Sequence, residues 1–107
     1  MGKPTALGYL RRDISGETQR WHEAQIRICA KQLGYELTKT IVFHARTRSP
    51  ITGLITAVQA AGAEAVIAPT PWHFGAQIPG DLVQVTDVIT ASPRHTYSRR
   101  LPNPFSW

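Results

Sequence analysis

The chain reads as an α/β domain of three layers built on a mainly parallel, four-stranded sheet. Three observations predict this. Short apolar runs of strand length alternate with stretches whose apolar residues recur at helical spacing. Two of the runs, Ala6 to Leu10 and Ala65 to Ala68, are continuously apolar, as in strands covered on both faces. Glycines stand where the helical stretches end, at Gly34 and Gly62. Strand–helix alternation of this kind implies parallel pairing through right-handed crossovers.

The elements follow in order. Ala6 to Leu10 is the first strand, and Arg11 to Glu17 a loop carrying Ser15 and Gly16. A helix begins near Thr18; Ile26, Cys29, Ala30 and Leu33 form one apolar stripe on it, which makes Cys29 a packing residue rather than a reactive one. Glu36 to Phe43 alternates and then turns β-branched and aromatic, the pattern of a second strand. His44 to Ser49 is a polar loop. Ser49-Pro50 reads as a helix start, a capping hydroxyl followed by proline at the first helical position, and Ile51, Leu54, Ile55 and Val58 supply the stripe. Ala65 to Ala68 is the third strand and Pro69 to Gly75 a stiff aromatic loop. A short helix over Pro79 to Val85 and a fourth strand over Asp87 to Thr90 complete the domain, residues 1–92. Residues 93–107 carry Pro93, Pro102 and Pro104 with arginines and aromatics, and read as an irregular tail that is either disordered or folded back on the domain.

Composition narrows the function classes. The 107 residues are 42% hydrophobic and 18% charged, which is globular composition. No apolar run approaches the ~18 residues of a membrane span, and the N-terminal apolar stretch is too short for a signal peptide, so a cytoplasmic protein without membrane contact is expected. A single cysteine excludes an internal disulfide and a cysteine-built zinc site. The four histidines lack metal-ligand spacing and no glycine-rich phosphate loop occurs, so neither a metal nor a cofactor is implied. Twelve basic residues, nine of them arginine, oppose seven acidic ones, for a net charge of +5. Arginine forks suit phosphate, so nucleic acid is a candidate partner beside the plainer reading of a basic surface.

In parallel sheets ligands bind at the carboxyl ends of the strands. The segments that meet there are 11–17, 44–49 and 69–76. Arg11 and Arg12 end the first strand and are candidates for phosphate contact. Arg46 and Arg48, with His44, make the second segment basic. Trp72 and Phe74 are candidates for partner contact as a stacking platform, against the simpler reading that the loop packs on Phe105 or Trp107 of the tail. Ser15 is a candidate nucleophile, but its place before Glu17-Thr18-Gln19 favours a helix-capping role.

Gly8-Tyr9-Leu10-Arg11, then Ser15 with Gln19 four residues on, then Glu23-Ala24-Gln25-Ile26-Arg27, resemble the N-terminal catalytic domain of the serine recombinases, the resolvase/invertase family. That family opens with a strand ending in Tyr-x-Arg-x-Ser, continues x-x-x-Gln, and begins its first helix near a second glutamine. Later elements fall in the family's order, so the resemblance spans residues 5–92. It implies a serine, here Ser15, that attacks a DNA phosphodiester, with Arg11 stabilising the charge and Gln19 and Gln25 facing the site. The chain departs from the pattern in three places. Without a gap the serine column falls on Asp13; with a two-residue insertion Ser15 takes it and Asp13 stands where an arginine belongs. The family's arginine-bearing loop after the third strand is replaced by Trp72-His73-Phe74-Gly75-Ala76, in which His73 offers at most a part-time charge. The long dimerisation helix that follows the family's domain has no counterpart in the proline-rich tail. The expected function is therefore a resolvase-like binding or regulatory module for protein or nucleic acid, without strand cleavage and with a second copy of the chain as a further candidate partner. The alternatives are a nucleotide or small-anion binder at the strand-end crevice, and strand cleavage through Ser15.

Overall fold

The computed structural model describes residues 2–44, 49–75 and 77–99. The elements are β1 (Thr5–Arg11), α1 (Arg12–Ser15), a 3₁₀ turn (Gly16–Thr18), α2 (Gln19–Leu33), β2 (Glu36–Phe43), α3 (Pro50–Ala61) and β3 (Ala65–Ala68). A second 3₁₀ turn (Pro71–Phe74), α4 (Gly80–Val83), β4 (Asp87–Ala91) and β5 (Arg94–Tyr97) follow. The sheet order is β2-β1-β3-β4-β5, with the first three pairings parallel and β4–β5 antiparallel.

The layers follow from the period-2 alternation of the strands. Leu7 and Tyr9 of β1, Val66 and Ala68 of β3, and Val88 of β4 pack with Leu54 and Val58 of α3 and Leu82 of α4. Their neighbours Ala6, Leu10, Ala65, Ile67 and Ile89 pack on the other face with Ile26, Cys29 and Ala30 of α2. β1 and β3 are buried on both faces, which is why they read as unbroken apolar runs. Cys29 is fully buried on the α2 stripe.

Two glycines do specific work. Gly34 ends α2 in the left-handed region at φ 83°, and its N–H bonds back to the last turn. Gly8, in the middle of β1, has no room for a side chain: a Cβ there would meet Thr40 Oγ1 of β2 and lie 3.0 Å from Ile26 Cγ2 of α2. The missing methyl lets β2 and α2 close on the central strand.

The structure departs from the sequence expectations in four places. The sheet has five strands rather than four. The fifth comes from the stretch expected to be irregular, whose exposed Arg94, His95 and Thr96 lack an apolar period because β5 is an edge strand held by its backbone pairing with β4. The segment after β1 is helical rather than a loop. Ser15 caps nothing: it closes α1, and α2 starts from Thr18 without a side-chain cap. Ser49 precedes α3 as expected, but its backbone is left-handed at φ 45° and its hydroxyl makes no capping bond. Arg46, Arg48, Ala76, Phe105 and Trp107 lie outside the described residues, so the basic loop after β2 and the docking of the tail do too. No helix among the described residues is long and apolar enough to cross a membrane.

Gly8→Ala tests the close approach. It should cost about 1–3 kcal/mol, read as a lowered urea midpoint at unchanged slope.

Candidate functional site

The chain leaves β1 to one side to form β2, then returns past β1 to form β3, so the connections diverge between β1 and β3. This is where open parallel sheets place their ligand crevice. Both 3₁₀ turns and α1 lie at this carboxyl edge, because they follow directly on β1 and β3.

One bond closes the edge. The backbone N–H of Arg11, last residue of β1, donates to Nδ1 of His73 at 2.9 Å. A main-chain N–H can only donate, so Nδ1 carries no proton and Nε2 carries it. His73 is fully buried, and among the described residues its Nε2–H has no acceptor. Burial, then the neighbouring His22 and Arg11, push the His73 pKa down to about 4. The imidazole is neutral at pH 7, which corrects the expectation of a part-time cation.

His73 stands nearly perpendicular to His22 of α2, their ring centroids 5.2 Å apart. His22 Nδ1 lies 2.7 Å from Ser15 Oγ, and burial lowers its pKa as well. When neutral His22 carries its proton on Nε2, Nδ1 accepts the hydroxyl proton of Ser15. Ser15 is 4% exposed, and its carbonyl accepts a bond from Thr18 Oγ1 at 2.6 Å. The structure thus joins three sequence-predicted residues, Arg11, Ser15 and His73, through His22. Sequence reasoning missed His22. The seven positions from Ser15 to His22 cross the bend at Gly16, where φ is 53°, and a 3₁₀ turn, so no helical period in the sequence marks the pair.

The outer part of the edge is charged. Arg11 forks onto Asp13, with Nε to Oδ1 at 3.3 Å and Nη2 to Oδ2 at 2.6 Å. That bond, above all, holds the Asp13 carboxyl below its ordinary value. Asp13 therefore occupies the guanidinium that the recombinase resemblance would aim at a phosphate. Arg12 and Arg20 project into solvent. Gln19 and Gln25 are half-buried on α2, and among the described residues neither amide finds a hydrogen-bond partner.

The aromatic turn divides in two. Phe74 is a core residue, 8% exposed, its ring stacked on Tyr9 with centroids 5.1 Å apart; this corrects its assignment to a partner surface. Trp72 is 70% exposed. Tyr9 is wedged between Phe74 and Phe43, its hydroxyl buried without a partner among the described residues and its pKa pushed up to about 12 by burial. A cavity of about 530 Å³ lies at the opposite, amino end of β3 and β4, lined by Gln59, Glu64, Asp87 and Arg99 among others. It touches none of the residues above.

The His73 pKa dictates a pH response. The unfolded chain takes up this proton near pH 6.5, the folded chain only near pH 4. The contribution to stability is complete above pH 6.5 and is lost as pH falls toward 4, up to about 3 kcal/mol. His73→Asn keeps an acceptor for the Arg11 N–H but cannot titrate. Denaturant melts from pH 7.5 to 4.5 should show most of the slope in the wild type and a flatter profile in the variant.

Compared with known proteins, the chain matches no family model, no curated protein and no solved structure.

Proposed function

We propose that this chain is a resolvase-like scaffold that binds nucleic acid through phosphate contacts at the carboxyl edge of its sheet, and that it does not cut the strand it holds. The observation that carries the reading is the charge pattern around Ser15. A phosphodiester under attack needs cations fixed where negative charge develops. Here the Arg11 guanidinium is committed to Asp13, and His73 beneath it is buried and neutral. The cations available to a ligand, Arg12 and Arg20, stand at the exposed rim. Rim arginines bind a phosphate backbone without needing to enter the site. The excess of arginine over lysine and the +5 charge favour the same partner.

A second reading has its own observation. Ser15 Oγ sits 2.7 Å from Nδ1 of His22, whose pKa burial lowers, so the ring's neutral form can accept the hydroxyl proton, the arrangement of a hydroxyl beside a general base. On that reading Ser15 Oγ would attack a DNA phosphodiester and pass its proton to His22, forming a phosphoserine link as the bond from phosphorus to one sugar oxygen breaks and that oxygen leaves, protonated, as a free hydroxyl. A small-anion or nucleotide ligand at the same crevice is the third possibility, with the orphaned Nε2–H of His73 as its donor.

Anisotropy with labelled oligonucleotides separates these. The wild type should bind with an affinity that falls roughly 10-fold between 50 and 200 mM salt. Arg12→Ala with Arg20→Ala should flatten the salt slope by about 1–2. No covalent adduct should survive denaturing electrophoresis. An adduct that Ser15→Ala or His22→Ala abolishes would install the second reading. Affinity for mononucleotides but not for oligonucleotides would install the third.

A further inference from the structure

Five large apolar side chains are exposed among the described residues: Ile14, Trp21, Ile28, Leu33 and Trp72. Three of them, Ile14, Trp21 and Trp72, belong to the segments that follow β1 and β3 at the carboxyl edge. Trp21 is 63% exposed and Trp72 70%. Each is the chain neighbour of one of the two touching histidines, Trp21 of His22 and Trp72 of His73. Neighbouring Cα atoms are about 3.8 Å apart, so the two indoles spring from chain segments that meet at one imidazole contact.

Trp72 is held out rather than left loose. Pro69 and Pro71 restrict the approach to it. His73 is anchored beneath Arg11, and Phe74 is stacked on Tyr9. With both following residues pinned in the interior, the turn presents Trp72 to solvent in a fixed place. Large aromatics are the side chains that bury most area when covered, about 150–250 Å² each, and Trp72 leaves 70% of its surface in water. Trp21 is fixed in the same way by the helix that carries His22, and Arg20 stands beside it.

We propose that Trp21 and Trp72 are a base-stacking pair, and that they make this edge selective for single-stranded nucleic acid over duplex. The inference rests on the phosphate-binding reading and adds its substrate class. Every base has a π-face, but a duplex hides those faces in its own stack, whereas a single strand offers them. Rigid exposed indoles beside rim arginines supply the two parts such binding needs, stacking for the bases and charge for the backbone. Charge complementarity sets the occupant: the chain carries a net +5, and Arg12 and Arg20 are exposed at this rim with no ion pair among the described residues, while of the nearby acids Asp13 is taken by Arg11 and Glu17 and Glu23 lie three positions either side of Arg20.

The test titrates the full chain with oligo-dT, oligo-rU and a duplex of equal length at one salt concentration. Single strands should bind at least 10-fold tighter than duplex. Trp21→Ala and Trp72→Ala should each weaken single-strand binding about 5- to 100-fold, leaving the salt slope and the weak duplex binding as they were. Trp72→Phe should restore most of the loss. Both side chains are exposed, so the melting temperature of each variant serves as a folding control. Tryptophan variants that bind single strands like the wild type, while the arginine variants weaken, would overturn the stacking pair and leave the phosphate reading intact. Preference for duplex, or equal binding of heparin without tryptophan dependence, would do the same. Binding to no nucleic acid, with capture of a protein partner that requires Trp72, would overturn both readings.

Discussion

The bond from the Arg11 backbone N–H to His73 Nδ1 organises this end of the molecule. It ties the exit of β1 to the turn after β3, across the point where the sheet's connections diverge. Its direction is forced, because an amide hydrogen can only be given. That fixes the imidazole tautomer and makes the ring a neutral acceptor. Protonating His73 would place a charge in a dry site and turn its acceptor into a second donor facing a donor. The low pKa of His73 and the structure of the edge are therefore one fact seen twice. Everything stacked on this ring inherits its constraint: His22 through the edge-to-face contact, Ser15 through His22, Trp72 through the chain.

The strands and long helices were legible in the sequence because local physics sets them. β1 and β3 are apolar throughout since both faces are covered, and α2 and α3 carry stripes at the helical period and stop at Gly34 and Gly62. β5 was not legible. Its residues face solvent on an edge, and its partner β4 is chosen by the chain's return through the Ser92–Pro93 turn rather than by side-chain pattern. The helical turns at 12–18 were hidden for a similar reason: Arg12-Asp13-Ile14-Ser15 has no apolar face longer than one residue.

The candidate site was legible by segment and not by bond. The rule that ligands meet the carboxyl ends of parallel strands pointed to 11–17 and 69–76, and residues from both do meet. The Arg11–His73 bond spans 62 positions in sequence, and no local pattern announces it. Ser15 illustrates the cost of local reasoning. A serine ahead of a helix is most often a cap, yet here the bend at Gly16 and the 3₁₀ turn after it bring His22 of α2 to its hydroxyl instead. Phe74 and Trp72 show the same limit. Adjacent aromatics in one turn look equivalent as letters, and only the stacking on Tyr9 assigns one to the core and leaves the other outside.

The polarity of the edge decides where an anion can sit. Its inner half is a set of neutral, poorly solvated groups: Tyr9, His73, His22 and Ser15. Its outer half holds the charges. Moving a phosphate inward would strip its hydration among groups that carry no compensating charge, at a cost of several kcal/mol. Moving Arg11 inward to meet it would first break a two-point ion pair with Asp13. Leaving the phosphate at the rim avoids both penalties, since Arg12 and Arg20 already stand in water there. The bases of a bound strand are under no such restriction. They are apolar on their faces, and the surface nearest the rim that suits them is indole. A strand lying along this edge would thus sort its own parts, phosphates toward the arginines and bases toward the tryptophans, while the buried imidazoles hold the scaffold in place beneath it.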